Sequence, residues 1–227
     1  MAKEAYENYL NKIQNFDAFN NDDTAAREIE NRKETKTIWG SLTKKEKTLI
    51  TKYTETYSYL NEPLRGLPYS GARPPEDFKN DLKPLTNGIA KSITQREMVV
   101  RRGTDSFPIP ELGGKELADI EIGEEFTDGG FLSTSVQKDR GFFKDIDMII
   151  YIPKGMAGIY VEPFSHYTDS LVYTFEDCST GKPKLWNGKK DESTGDEWEW
   201  IGQRGSRLRC IAKKGKTIYF QMLAQMQ

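Results

Sequence analysis

Histidine and cysteine are nearly absent from this sequence. His166 stands alone, and Cys178 and Cys210 are the two thiols. Three soft ligands so scattered do not make a zinc site. A histidine-based acid–base or nucleophilic mechanism would have to rest on His166. Cys210 lies in the apolar run LRCIA and reads as a reduced core residue. Long apolar runs are missing too, which argues against a membrane-spanning helix. The opening MAKEAYENYLNKIQ lacks the apolar core of a signal peptide, so a soluble protein is expected. An excess of one charge sign is also lacking: 33 basic side chains face 35 acidic ones. Nucleic-acid binders usually carry a basic surplus, so nucleic acid is not an expected partner.

What is present suits one large domain, or one domain with a helical extension, in a chain of 227 residues. The reading is an extension over 1–40 and a main domain over 41–227. Tyr6, Tyr9, Leu10 and Ile13 follow helical spacing until FNNDD interrupts them. Thr43 with Glu46 three positions later predicts a capping box. Leu49, Ile50, Tyr53, Tyr57 and Leu60 then form one apolar stripe. GLPYSGARPP is a loop. Phe78, Leu82, Leu85, Ile89 and Ile93 predict a helix bent or restarted at Pro84. From residue 98 the pattern changes to short strands: MVVRR, GFLSTS, DMIIYIP, GIYVEPF, EWEWIGQ, SRLRCIA and TIYFQML. A polar stretch between Tyr173 and Gly195 reads as a long loop, of the kind that is functional or disordered. Helices first and strands afterwards give an α+β class.

The run EWEW poses a chemical question. In a strand, Glu197 and Glu199 share a face, with Cα atoms about 6–7 Å apart. Trp198 and Trp200 take the other, buried face. Two like charges at that distance repel unless a cation or a shared proton compensates. One answer is a solvated face screened by Arg204, Arg207 or Arg209. The other is a working pair of carboxylates.

Four segments in order favour the working pair: TYSYLNEPLRG, with Tyr57, Asn61 and Arg65; MVVRRGTD, with Arg101, Arg102 and Gly103; FTDGGFLSTS, with Ser133, Thr134 and Ser135; and EWEWIGQRG. Together they resemble the mono-ADP-ribosyltransferase toxins of the Arg, Ser-Thr-Ser, Glu-x-Glu group. That group includes the clostridial binary toxins and Rho-modifying exoenzymes. The resemblance covers roughly 41–225. One departure is the span of some thirty residues ahead of the Glu-x-Glu strand, where close relatives have a short turn.

The resemblance implies two packed mixed sheets forming an NAD cleft, with helices on the N-terminal side. It implies a transferase that moves ADP-ribose from NAD onto a protein side chain and releases nicotinamide. NAD is the substrate, and no metal is expected. By resemblance Glu199 stabilises the positive charge that develops on the ribose. Glu197 faces the acceptor, and its being Glu rather than Gln points to arginine. Ser133 holds Glu199. Arg101 or Arg102, with Arg65, supplies forked donors to the pyrophosphate. Phe142 fits the aromatic position of a loop over the nicotinamide phosphate, with Lys144 replacing its usual arginine. Two other readings stand beside transfer: an NAD glycohydrolase, and a non-catalytic phage or secretion-particle module of the same fold. The target is open among actin, a small GTPase and a bacterial protein. A monomer is expected, secreted or delivered into a target cell's cytosol.

Overall fold

A computed structural model describes the chain except residues 1, 17–18, 20–23, 70, 72, 139–142, 163–164, 166–174, 177–182, 185–197 and 227. The helices come first: α1 (Ala2–Gln14), α2 (Thr24–Asn31), α3 (Lys33–Ser41), α4 (Lys44–Glu55), α5 (Ser58–Leu64) and α6 (Pro75–Ala90). The longer strands follow: β1 (Met98–Thr104), β4 (Glu125–Asp128), β5 (Leu132–Ser135), β6 (Ile146–Ile152), β7 (Gly158–Tyr160), β10 (Glu199–Gly202), β11 (Ser206–Lys214) and β12 (Thr217–Ala224). Two-residue strands pair as β2 (Pro108–Ile109) with β3 (Lys115–Glu116), and β8 (Phe175–Glu176) with β9 (Pro183–Lys184). The α+β class read from the sequence is the one observed.

The capping box opens α4 as expected. Thr43 Oγ1 accepts the Glu46 N–H at 3.2 Å, and Glu46 Oε2 accepts the Thr43 N–H at 2.7 Å. The apolar stripe beyond it is not one helix. Thr56, at φ −144°, separates α4 from α5. The break turns Tyr57 outward, 43% exposed, while Tyr53, Tyr59 and Leu60 stay buried. Pro84 neither ends nor restarts α6, which runs on to Ala90.

The eight longer strands run in one hydrogen-bonded order, β4-β11-β12-β6-β1-β5-β10-β7, with β1 and β5 joined at the single pair Arg101–Ser135. Within it, the β6 run IDMIIYI is buried on both faces, and both of its edges are used. One edge pairs antiparallel with β1, the other parallel with β12. Side-chain alternation then sorts the core. Val100, Leu132, Ile150, Trp200, Leu208 and Phe220 join one cluster, and Ile159 and Ile201 join another with α4, α5 and α6. The outer residues of β6, Ile149 and Tyr151, pack with Val99, Ile211 and Ile13 of α1.

The first forty residues are woven into this packing. Ala26 of α2 belongs to the main core, and α3 runs across residue 40. Trp39 Nε1 donates to the Tyr160 carbonyl at 2.8 Å, and the two rings stack 6.2 Å apart.

Candidate active site

The centre of the site is the junction of β1, β5 and β10. Glu199 opens β10 opposite Ser135, and Ile201 pairs with Ser133. Alternation puts Ser133, Ser135 and Glu199 on one face, with Ser133 diagonal to Glu199 and within side-chain reach. The Ser133 hydroxyl donates to Glu199 Oε1. Glu199 is 3% exposed, so this is a carboxylate with little access to water. Thr134 points the other way and donates to the Trp200 carbonyl at 2.8 Å, which ties the two strands. Trp200 lies behind the carboxylate, and only glycine fits beneath it. A Cβ at Gly158 would sit 1.9 Å from the indole.

The cations stand beside this pair. Arg102 Nη1 donates to the Ser133 carbonyl at 3.0 Å, and Arg102 makes no ion pair among the described residues. Burial, and then the neighbouring Arg65 guanidinium, lower its pKa from the ordinary arginine value. Arg101 has a different role. It is 3% exposed, pairs with Asp147 and carries the Phe143 ring 4.5 Å above its guanidinium. Both arginines line the cleft, with Tyr57, Gly103, Thr104, Asp105, the three residues 133–135, Lys144 and Glu199. Lys144 Nζ is 3.1 Å from Asp105.

Arg65 forks onto Asp128, Nε to Oδ1 at 2.7 Å and Nη2 to Oδ2 at 2.9 Å. Burial works against the charge on Arg65, but Asp128 outweighs it and raises the pKa. Asn61 is not on the cleft wall, contrary to the reading of it as a cofactor contact. It is fully buried, and its amide clamps Phe131: Oδ1 accepts the Phe131 N–H at 2.8 Å, and Nδ2 donates to the Phe131 carbonyl at 3.2 Å. A side chain that binds both backbone polar groups of one residue holds the β4–β5 turn in place.

Glu197 and Phe142 lie outside the described residues. β10 begins at Glu199, and Trp198 just before it has φ +48°, outside the strand region. The tryptophans do both pack on the main core. Two acidic residues escaped the sequence reading. Asp128 stands in FTDGG, ahead of the Ser-Thr-Ser motif and outside it. Glu162, just past β7, is 4% exposed and accepts the Glu199 N–H at 3.4 Å. An acid ending an apolar strand, as in GIYVE, was the available signal for the second.

The family model for the ADP-ribosyltransferase exoenzyme matches residues 29–171. The chain belongs to the ADP-ribosyltransferase exoenzyme family. Among curated proteins no relative matches the sequence. Solved structures share the fold at low identity. Plx2a, an ADP-ribosyltransferase toxin from Paenibacillus larvae, is 20% identical with TM-score 0.61, covering 91% of this chain and 98% of its own. The Clostridium limosum C3 exoenzyme is 17% identical with TM-score 0.63, covering 90% and 96%. C3stau2 from S. aureus, solved with NAD, is 16% identical with TM-score 0.60, covering 90% and 97%. Family and fold together give mono-ADP-ribosylation from NAD as the activity. Among the described residues, no group of three or more His, Cys, Asp or Glu side chains could hold a metal, and no helix is long and apolar enough to cross a membrane.

Proposed function

We propose that this ADP-ribosyltransferase modifies an arginine side chain of a protein target. The observation that carries the chemistry is the buried Glu199 carboxylate, held by Ser133 and flanked by Arg102. Breaking the C–N glycosidic bond of NAD puts positive charge on the ribose and releases nicotinamide. A carboxylate fixed in a dry cleft stabilises that charge without having to reorganise. The Ser133 hydroxyl keeps one carboxylate oxygen in place and so fixes the direction in which the acid faces the sugar. Arg102, fixed by the Ser133 carbonyl, supplies the positive field for the pyrophosphate. Ser133 therefore serves both ends of the substrate, its hydroxyl the acid and its carbonyl the arginine.

Arginine as acceptor rests on the first glutamate of EWEW. A carboxylate there grips a guanidinium and helps take its proton. The target is a protein inside a cell into which the enzyme is delivered. The test is incubation of a lysate with biotinylated NAD, followed by mass spectrometry of the labelled peptides. ADP-ribose on arginine is the expected result. Label on asparagine overturns the acceptor, and nicotinamide release with no labelled protein makes the enzyme a hydrolase.

A further inference from the structure

Asp128 closes β4 and is 6% exposed. Both of its oxygens take the Arg65 fork, and Oδ1 also accepts the Gly130 N–H at 3.0 Å. Arg65 Nη2 reaches the Phe131 carbonyl at 3.5 Å as well. The two glycines of FTDGG make room for this contact. A Cβ at Gly130 would lie 3.1 Å from Arg65 Cζ, and one at Gly129 would lie 2.2 Å from the Leu64 carbonyl oxygen. The guanidinium is thus fixed by a carboxylate, a carbonyl and a glycine floor. Arg65 Nη1 makes none of these bonds and is left for another acceptor.

Arg102 and Arg65 are held by carbonyls two residues apart on one segment: Arg102 Nη1 by that of Ser133 at 3.0 Å, and Arg65 Nη2 by that of Phe131 at 3.5 Å. The Arg65 charge disfavours a charged Arg102, and the Asp128 charge favours it. Two guanidiniums side by side repel, and a carboxylate between them in charge offsets the repulsion. Asp128 lies five residues before Ser133, on the turn that Asn61 clamps.

We infer that Asp128 is a positioning residue, locking Arg65 so that its Nη1 stands beside Arg102 as a preassembled site for the pyrophosphate of NAD. The inference rests on NAD being the substrate of this cleft. An arginine that moves freely loses rotamer entropy when it binds an anion. One already held by a carboxylate has lost it on folding, so the anion meets donors in place. A carboxylate that only damped the local charge would do the opposite, and its removal would tighten binding of the anionic substrate.

The test compares Asp128→Asn and Arg65→Gln with the unaltered protein by nicotinamide release at varied NAD. Asp128→Asn keeps the shape but turns an amide donor toward the guanidinium. Misplaced contacts of this kind cost up to about 10²-fold. The expected loss in kcat/KM is roughly 10–100-fold, carried by a higher KM with kcat within a few fold. The double variant is expected to be no worse than the poorer single one, because both act through one contact. Arg65→Lys covers the case in which Asp128→Asn does not fold. It leaves the buried carboxylate with a cationic partner but removes the fork, and raises KM for NAD by at least roughly tenfold. An unchanged or lowered KM in the folded variants, or losses that multiply in the double variant, overturns the inference. If the unaltered protein neither binds NAD calorimetrically nor releases nicotinamide, the substrate reading falls and takes this one with it.

Discussion

Glu199 and Glu197 are two residues apart in sequence, and the roles proposed for them differ. Glu199 is anchored in β10 by the ladder to β5 and by Ser133. Trp198, the residue before it, has a turned backbone at φ +48°. Different proposed partners, the ribose for Glu199 and the acceptor guanidinium for Glu197, imply separable roles. Glu199→Gln is expected to remove both transfer and NAD hydrolysis. Losing one charged transition-state contact costs roughly 10²–10³ in rate. Glu197→Gln is expected to abolish transfer to arginine while keeping much of the hydrolysis, since water needs no guanidinium grip. Nicotinamide release and protein labelling, measured side by side, decide it, and equal loss of hydrolysis in both variants would show one functional unit. What the sequence revealed at this scale was chemistry rather than direction. Ser133, Glu199, Arg102 and Tyr57 reach the cleft because a short motif carried each of them. Asn61 was misplaced because a buried amide and a ligand-binding amide look alike in a string of letters. Asp128 was missed because its partner, Arg65, is sixty-three positions away.

Among the elements, α1 shows how much of the fold a pattern can carry. The spacing of Tyr6, Tyr9, Leu10 and Ile13 predicts the helix, and Ile13 docks on Val99, Ile149, Tyr151 and Ile211. Lys12 Nζ adds a 3.4 Å contact to the Tyr151 hydroxyl, which in turn donates to Glu97. Ile13, at 4% exposed, is the anchor of this face. Ile13→Ala is expected to cost about 2–5 kcal/mol, the range for a large-to-small change in a core. That is a fall of several degrees in melting temperature for a domain of this size. A melting curve that does not move would show that α1 does not dock in solution. The elements that escaped the sequence reading were short or split. Nothing marked β4 as a strand, since EFTD offers one apolar residue between acids, and its place is set by pairing with β11. The break at Thr56 was hidden by a stripe that continued in helical phase through Tyr57.

For the molecule as a whole, two buried carboxylates set the response to acid. Burial pushes the Asp128 pKa up, but the Arg65 charge and hydrogen bonds outweigh it and bring it below the ordinary 3.8. Glu46 is similar. Burial raises it, while Lys91 and the Thr43 cap hold it below 4.5. A lowered folded-state pKa means that the unfolded chain binds the proton more readily. The stability these groups contribute is therefore complete above the ordinary carboxylate values and is lost as pH falls through the folded ones. The melting temperature is expected to be level from about pH 7 to 5 and to drop steeply below about pH 4. Glu46→Gln should flatten part of that drop, and a melting temperature that rises on acidification would contradict the assignment.

The parallel join of β6 to β12 governs how the molecule is assembled in time. Asp147 pairs with Thr217, seventy positions later in the chain. The β11–β12 hairpin is local by contrast, with Lys214 and Thr217 paired across a turn at Gly215. A hairpin forms within microseconds, whereas a contact across so long a loop closes late. The loop that this seam closes contains β10, and with it Glu199. After dilution from denaturant, backbone structure should return in an early phase at β11–β12, and nicotinamide release should return no sooner than the slowest phase, when the seam shuts and the carboxylate strand is held between β5 and β7.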